Sequence, residues 1–509
     1  MKKSNNISKI FVAGIFGACI LITSCEKNFE KINTDPNNPE DVPNSYFLAG
    51  AQRGIMDNTV DVWWGANVGN QLAQYWSSNQ YTSESRYQFR DAVTNTSWRA
   101  FYTGVLNDPQ VNVGGLFELK RIIDNCTTDA AASSVYGDPA NQIAVATILR
   151  VWLLQNMTDA WGNIPYSEAL IDDNRAPKYD KQSDIYSGIL TELNAVLPTI
   201  NPNAAGPTGD MVYSGDMTKW AKFGNAVKLR IATRMADINP SLAQTAFNEA
   251  MTAGTFTSND DNALLPYGEG TSGNPIYYNY AISGRNDYAA SNILLDNVMN
   301  PLSDPRIPAF FAPNDDAGIY VGEVYGLNEG HGASTPNSSV SQRSELVLSA
   351  TLPGIFMDYA QVEFMMAEGA ERGWSVSGTA QDHYNAGITA SILFWTTLNG
   401  SPADQATIDA YINQTDVDYP TAPGTWQEKI GKQKWIALYN QGIQGWTEWR
   451  RLDFGILQLP ADGVIEGTGI PVRMKYPVEE QTINSGGYDG AISDQGPDLL
   501  GTKLWWDVH

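Results

Sequence analysis

Cysteine is nearly missing from this chain. It has three, Cys19, Cys25 and Cys126, and the first two fall in an N-terminal segment with its own reading below. That reading leaves only Cys126 in the body, so no internal disulfide can form and the fold must rest on its core. Cys126 itself reads as a small buried or half-buried hydrophobe. Histidine is as scarce: His331, His383 and His509 are the whole set. No H-E-x-x-H pair occurs, which excludes that zinc site. No G-x-S-x-G elbow and no Gly-rich phosphate loop occur either. Basic residues are few, 32 against 56 acidic, for a formal net charge of −24. Such a chain does not gather nucleic acid by counterion release and does not lie flat on an anionic membrane. Beyond the N-terminus, no apolar run approaches the roughly 20 residues that span a bilayer. These absences do not exclude a glycosidase, which needs only two carboxylates facing each other across a sugar.

The N-terminus is where apolar sequence does concentrate. Lys2, Lys3 and Lys9 precede an apolar run from Ile10 to Ile22, and Thr23 and Ser24 stand before Cys25. The run has the length of a signal h-region rather than of a spanning helix. Leu21-Ile22-Thr23-Ser24-Cys25 reads as a bacterial lipoprotein signal, with residues 1–24 cleaved and Cys25 lipidated. Removing the three lysines takes the charge to −27, from 29 basic and 56 acidic residues. Residues 26–44 are polar, with Asp35-Pro36-Asn37-Asn38-Pro39, and read as an extended tether. The expected division is a signal peptide over 1–24, a lipidated N-terminus and tether over 25–45, and one large domain over 46–509.

What the body has is helical periodicity broken by loops rich in Gly, Pro and Asn. Ala146, Leu149, Leu153 and Met157 form one apolar stripe, stopped by Gly162 and Pro165. Ile185, Ile189, Leu193 and Val196 form a second, with Ser183 as expected N-cap. Trp220 to Met235 is a third, and Ala243 to Ala253 a fourth. Ile355, Tyr359, Val362, Met366 and Ala370 form a fifth, Tyr384 to Trp395 a sixth. Lys429–Tyr439 and Trp446–Leu452 close the series. Helices fall in adjacent antiparallel pairs, the organisation of a helical-hairpin array, although no 34-residue period aligns. Loop-rich insertions are expected around Asn58–Asp91, Asn201–Asp216, Gly254–Arg285 and Ala312–Ser349.

Several segments resemble a known family. INTDPNNPEDVPNSYFLAGA (Ile32–Ala51), MTDAWGNIPYSEAL (Met157–Leu170), WAKFGNAVKLRIATRM (Trp220–Met235), DPRIPAFF (Asp304–Phe311), YAQVEFMMAEGAERGW (Tyr359–Trp374), KQKWIALYNQGIQGWTEWRR (Lys432–Arg451) and LWWD (Leu504–Asp507) are similar to segments of the SusD/RagB-type nutrient-binding outer-membrane lipoproteins of Bacteroidetes. Gln361 departs from the pattern, where a carboxylate is expected. The resemblance implies a mainly α fold, with tetratricopeptide-like helix pairs in a right-handed array packed against a loop-rich irregular half. It implies a SusC-like TonB-dependent barrel as partner, over which the protein sits as a lid holding an oligosaccharide or another nutrient. It also implies an outer-membrane, lipid-anchored location facing the cell exterior.

Ligand chemistry is expected where aromatics and amides crowd together, since flat rings stack sugars and amides bond hydroxyls. Val62–Arg90 carries Trp63, Trp64, Tyr75, Trp76, Tyr81 and Tyr87 among Asn67, Asn70, Gln71, Gln74 and Asn79. Asn274–Tyr288 adds Tyr277, Tyr278, Tyr280, Arg285 and Asp287. The expected ligand residues are Trp76, Asn79, Tyr81, Tyr278, Arg285 and Asp287, with an oligosaccharide as first ligand class and a peptide as second. No catalytic residue and no cofactor are expected. Asp35–Asp41, Asn259–Asp261 and Asn314–Asp316 raise the question of a structural calcium ion, but none fits EF-hand spacing, and solvated loops are the reading adopted. Two other functions stay open: a membrane-anchored glycoside hydrolase, and a non-catalytic helical scaffold.

Overall fold

The computed structural model describes residues 42–104, 114–332 and 334–509. The signal peptide, Cys25, the Asp35–Asp41 loop and the tether up to residue 41 lie outside the described residues. Counting α-helices of eight residues or more, the first half holds α1 Asn44–Val60, α2 Asp91–Thr103, α3 Leu116–Thr128, α4 Pro139–Trp161, α5 Gln182–Val196, α6 Met217–Arg234 and α7 Pro240–Ala253. The second half holds α8 Tyr359–Glu371, α9 Ala380–Leu398, α10 Gln405–Ile412, α11 Trp426–Ala437, α12 Gly442–Leu452 and α13 Ser485–Gln495. Four short strands complete it: β1 Trp76–Ser78, β2 Ala263–Leu265, β3 Tyr288–Ala290 and β4 Gly354–Met357. None of the described helices is long and apolar enough to cross a membrane.

Helix ends follow local chemistry. Asp138 caps α4 by accepting from the Ala140 and Asn141 N–H groups, with Pro139 in the first turn. Gly162 ends that helix in the left-handed region at φ +85. Asp216 and Asn239 cap α6 and α7, and Thr379–Asp382 and Thr425–Glu428 form capping boxes on α9 and α11.

Five expectations are corrected. Ser183 is not a cap: α5 starts two residues earlier, at Gln182 after Lys181, without a side-chain cap. Ile355 belongs to β4, and Asp358 caps α8 behind it. The α4 stripe is too narrow a description, because this helix is buried nearly all round. Asn58–Asp91 is not a loop-rich insertion but the end of α1, a π-helix over Val62–Asn70, β1 and a 3-10 turn. Asn44 and Ser45, which the sequence reading left in the tether, open α1.

Chain neighbours pack as pairs: α3 on α4, α4 on α5, α6 on α7, α8 on α9 and α11 on α12. One large apolar core runs through these helices, and a smaller cluster around Phe364, Tyr384, Ile388 and Tyr411 lies among α8, α9 and α10. At its centre the helical part is ionic. Arg234 of α6 binds Asp159 of α4 at 3.1 Å and Glu448 of α12 at 2.7 Å. Arg451 of α12 binds Glu448 at 2.7 Å and Glu368 of α8 at 2.5 Å, and Lys434 of α11 reaches Glu448 at 3.1 Å. Arg372 extends the set to Asp237. The π-helix is set against α12 by glycine: a Cβ at Gly442 would run into the backbone of Gly69. Cys126 is buried, beside the Asn44 amide at 3.4 Å.

Candidate functional site: an arginine-backed double cleft

Two segments far apart in the chain meet through one small ladder. β1 pairs antiparallel with β3, Trp76 opposite Ala290 and Ser78 opposite Tyr288. The Asn79 N–H continues it by donating to the Asp287 carbonyl at 3.0 Å. The aromatic-and-amide stretches at 62–90 and 274–288 thereby become two walls of one site. On the first wall, Asp61 caps the π-helix by accepting from the N–H groups of Trp63, Trp64 and Gly65, which sets Trp63 at the rim. On the second, a π-turn over Tyr278–Ile282 closes when the Arg285 N–H donates to the Asn279 carbonyl at 3.1 Å.

A cleft of about 360 Å³ lies between the walls, lined by Val62, Trp63, Asn67, Gln80, Tyr81, Arg90, Asn279, Arg285, Asp287 and Tyr288. A second, more open cleft of about 570 Å³ is lined by Asn79, Gln80, Tyr81, Glu329, Thr335, Pro336 and Asn337. Gln80 and Tyr81, both exposed, belong to both and form the ridge between them. The Tyr81 backbone is in the left-handed region at φ +55, uncommon for a bulky residue, and the residue is 53 % exposed.

Every aromatic ring lining the first cleft has a guanidinium over it. Arg285 lies 4.8 Å from the Tyr81 ring centre, Arg90 5.2 Å from Trp63, and the buried Arg343 5.4 Å from Tyr288. Arg285 is fixed by Asp287 at 2.6 Å, and this hydrogen bond raises its pKa above the ordinary arginine value. Arg90 is fixed by Glu84, whose carboxyl burial pushes up while Arg90 pulls it down in part. Arg343 donates to the Asn286 side chain at 2.8 Å, and burial lowers its pKa. The Tyr288 hydroxyl donates to Asn67 at 2.6 Å. In the second cleft Glu329 accepts from the Thr82 N–H at 2.7 Å, and Asn79 donates to Asn337. The side-chain oxygens of Asn279 and Asn79 are buried and accept no hydrogen bond among the described residues.

Of the six expected ligand residues, Tyr81, Arg285 and Asp287 come together in the first cleft, and Asn79 lines the second. Trp76 is a correction. It is 0 % exposed, its indole N–H donates to the Tyr439 hydroxyl at 3.0 Å, and Arg343 covers its ring. It is the floor under Tyr288 rather than a contact surface. Tyr278 is half-buried and lines neither cleft. The residues that sequence reasoning passed over are Arg90, Asn279, Tyr288, Glu329 and Asn337. Arg90, Asn279 and Tyr288 stand inside the two stretches singled out, so an amide or arginine count there would have found them. Glu329 and Asn337 carry no such signal.

Of the acidic loops that raised a calcium question, Asp35–Asp41 lies outside the described residues, and in the other two some of the oxygens have protein partners. Asp261 binds Lys222 at 2.8 Å and the Thr257 N–H, and the Asn314 side-chain oxygen accepts from the N–H groups of Ala317 and Ile319. Among the described residues no group of three or more His, Cys, Asp or Glu is placed to hold a metal ion.

Comparison with known proteins bears on most of the chain. The profile of a SusD-like family, described as "Starch-binding associating with outer membrane", matches residues 36–477. A solved structure of a chitin-binding protein is 29 % identical, covers 92 % of this chain and 100 % of its own, and superposes with a TM-score of 0.79. A SusD homologue from Bacteroides uniformis is 27 % identical over 91 % of this chain and 100 % of its own, at a TM-score of 0.74. A chitin-binding SusD homologue from Flavobacterium johnsoniae, at 24 % identity, covers 91 % of this chain and 99 % of its own at a TM-score of 0.74, which speaks for the fold alone. No curated protein matches the chain.

Proposed function

Because this chain belongs to the SusD-like family, we propose that it is a cell-surface glycan-binding protein which holds an oligosaccharide across the Tyr81 ridge. The single observation that carries this is the shared ring. Tyr81 stands exposed between two clefts, backed on one side by Arg285. A linear chain of sugars fits that layout, with one unit stacked on the ridge and its neighbours in the two clefts. The chitin-binding relative makes N-acetylglucosamine oligomers the first probe. On the same reading Cys25 carries a lipid at the outer membrane, and a SusC-like TonB-dependent barrel receives the ligand.

Binding without cleavage suits the site better than hydrolysis does. Asp287, the one carboxylate among the first cleft's lining residues, is held by Arg285, so no facing pair of free carboxyls is present there. The test is calorimetric titration of protein lacking residues 1–25 with N-acetylglucosamine oligomers, other neutral glycans and peptides, with the mixtures followed for products. Saturable binding with the oligomer recovered intact is the expected result. Accumulating shorter products would replace this reading with a hydrolase. Failure of every glycan and peptide, with barrel binding retained, would replace it with a scaffold. For the anchor, Cys25→Ala is expected to release the protein from membranes of cells lacking the barrel.

A further inference from the structure

We infer that the first cleft selects its sugar by charge, accepting neutral acetamido or hydroxyl groups and refusing protonated amino sugars. This rests on the glycan-binding reading and adds the chemistry by which one sugar is told from another.

The observation is an inverted local charge in an acidic chain. The protein as a whole carries −24. Of the charged residues lining the first cleft, two are guanidiniums, Arg90 and Arg285, and one is a carboxylate, Asp287; behind them Arg343 lies over Tyr288 and Glu84 holds Arg90, while Glu329 lines the adjoining second cleft. In both ion pairs the acid is the inner partner. The Arg90 side chain is 45 % exposed against 1 % for Glu84, and that of Arg285 is 40 % exposed against 10 % for Asp287. A ligand therefore meets guanidinium N–H groups first and carboxylate oxygens hardly at all.

The aromatic faces reinforce this. A bare Trp or Tyr face attracts ammonium groups through its quadrupole. Here each ring already has an arginine over it, so that attraction is used within the protein, and a second cation meets like charge instead. Fixed, outward N–H donors favour the opposite kind of group: the carbonyl oxygen of an acetamide, or a hydroxyl oxygen. Glycans bearing free amines and their acetylated counterparts differ in just this respect.

The test compares an N-acetylglucosamine hexamer with its fully deacetylated form, below the pH at which the amines lose their protons. The deacetylated chain is read by its power to displace the acetylated one, so that attraction of a polycation to the acidic surface elsewhere is not counted. The acetylated hexamer is expected to bind at least about tenfold tighter. Raising the pH until the amines are neutral is expected to narrow the gap. Arg90→Gln and Arg285→Gln are expected to erase or invert the ratio, since each leaves its acid unneutralised. Arg285→Lys, which keeps the charge but loses the flat stack, is expected to hold the ratio even if both affinities fall.

Equal displacement by both hexamers would overturn the inference while leaving glycan binding intact. So would a gap that pH does not move, or a ratio unchanged in both glutamine variants. If folded protein binds neither hexamer nor any other neutral oligosaccharide, the glycan reading itself falls and this inference with it.

Discussion

Tyr81 holds a left-handed backbone with an exposed ring that touches Arg285 and lines two clefts. Losing a stacked aromatic removes about 0.5–1.5 kcal/mol beyond area, so Tyr81→Ala is expected to weaken oligosaccharide binding by roughly tenfold in titration. Little buried structure leans on the ring, and its thermal midpoint should stay close to the parent's. Trp76 is five positions earlier and behaves oppositely. Trp76→Ala empties a fully buried site and strips Tyr439 of a donor, so a loss of about 3–5 kcal/mol in denaturant unfolding is expected. Composition could not separate the two residues, because both sit in the same crowd of rings and amides. What separates them is the ladder: Trp76 is within β1, under Arg343, whereas Tyr81 follows the strand where pairing has ended. Arg285 and Asp287 were singled out on the same ground as Tyr81, a crowd of rings with amide and charged groups, and they line the first cleft with it. Tyr278 was not, since its side of a π-turn could not be read from spacing.

At the scale of elements, the turn between α8 and α9 carries a titratable clamp. His383 on α9 presents Nδ1 to the Glu363 carboxylate of α8 at 2.7 Å and Nε2 to the Ser377 carbonyl at 2.7 Å. Both partners only accept, so the ring bonds both when doubly protonated. Its pKa is raised, first by the hydrogen bond to Glu363, against a smaller opposing effect of burial, with Ser377 and the nearby Asp382 adding to the rise. A raised folded pKa means stability that is fully present below the unfolded value of about 6.5 and lost as pH climbs through the folded one. The stability gap between the parent and His383→Gln should therefore be widest in mild acid and close towards alkaline pH, as read by denaturant midpoints across that window. A gap independent of pH would mean that the imidazole only fills space. Many long helices were legible from apolar spacing and the Gly or Pro that stops them, and α5, α7 and α9 are one-sided enough to show a stripe. Helices α1, α2 and α3 were not read, and the π-helix was mistaken for loop. The buried faces of α1 and the π-helix include Gln52, Asp57, Asn58, Asn67 and Asn70, polar residues that break any apolar period, whereas α3 does carry a stripe, Leu116, Leu119, Ile122 and Cys126, that was passed over.

The whole molecule is tied through its buried charges. Four cations, Arg234, Arg372, Lys434 and Arg451, meet four carboxylates, Asp159, Asp237, Glu368 and Glu448, so the network is neutral and the acidic excess of the chain lies outside it. No apolar pattern could announce it, and Gln361, where the resemblance implied a carboxylate, takes no part; it is buried with neither amide atom hydrogen-bonded. Glu448 is the node, touching Arg234, Arg451 and Lys434. Burial by itself pushes its carboxyl up, but those three cations outweigh burial and hold it well below the usual range. Burial also lowers Lys434 to about 8, so this ammonium depends on Glu448 for its charge. Replacing one member of such a set leaves its partners charged and unpaired in the interior, at a cost of about 3–5 kcal/mol. Glu448→Gln should therefore unfold far earlier in denaturant at neutral pH. The sign with pH is opposite to that of His383: a depressed carboxyl gives stability above the unfolded value of about 4.3 and loses it as pH falls through the folded one. The parent should hold its advantage over Glu448→Gln through mild acid and surrender it only in strong acid. An advantage that vanished already near the ordinary glutamate pKa would show that the network does not hold Glu448 ionised, and that α4, α6, α8, α11 and α12 are joined by packing alone.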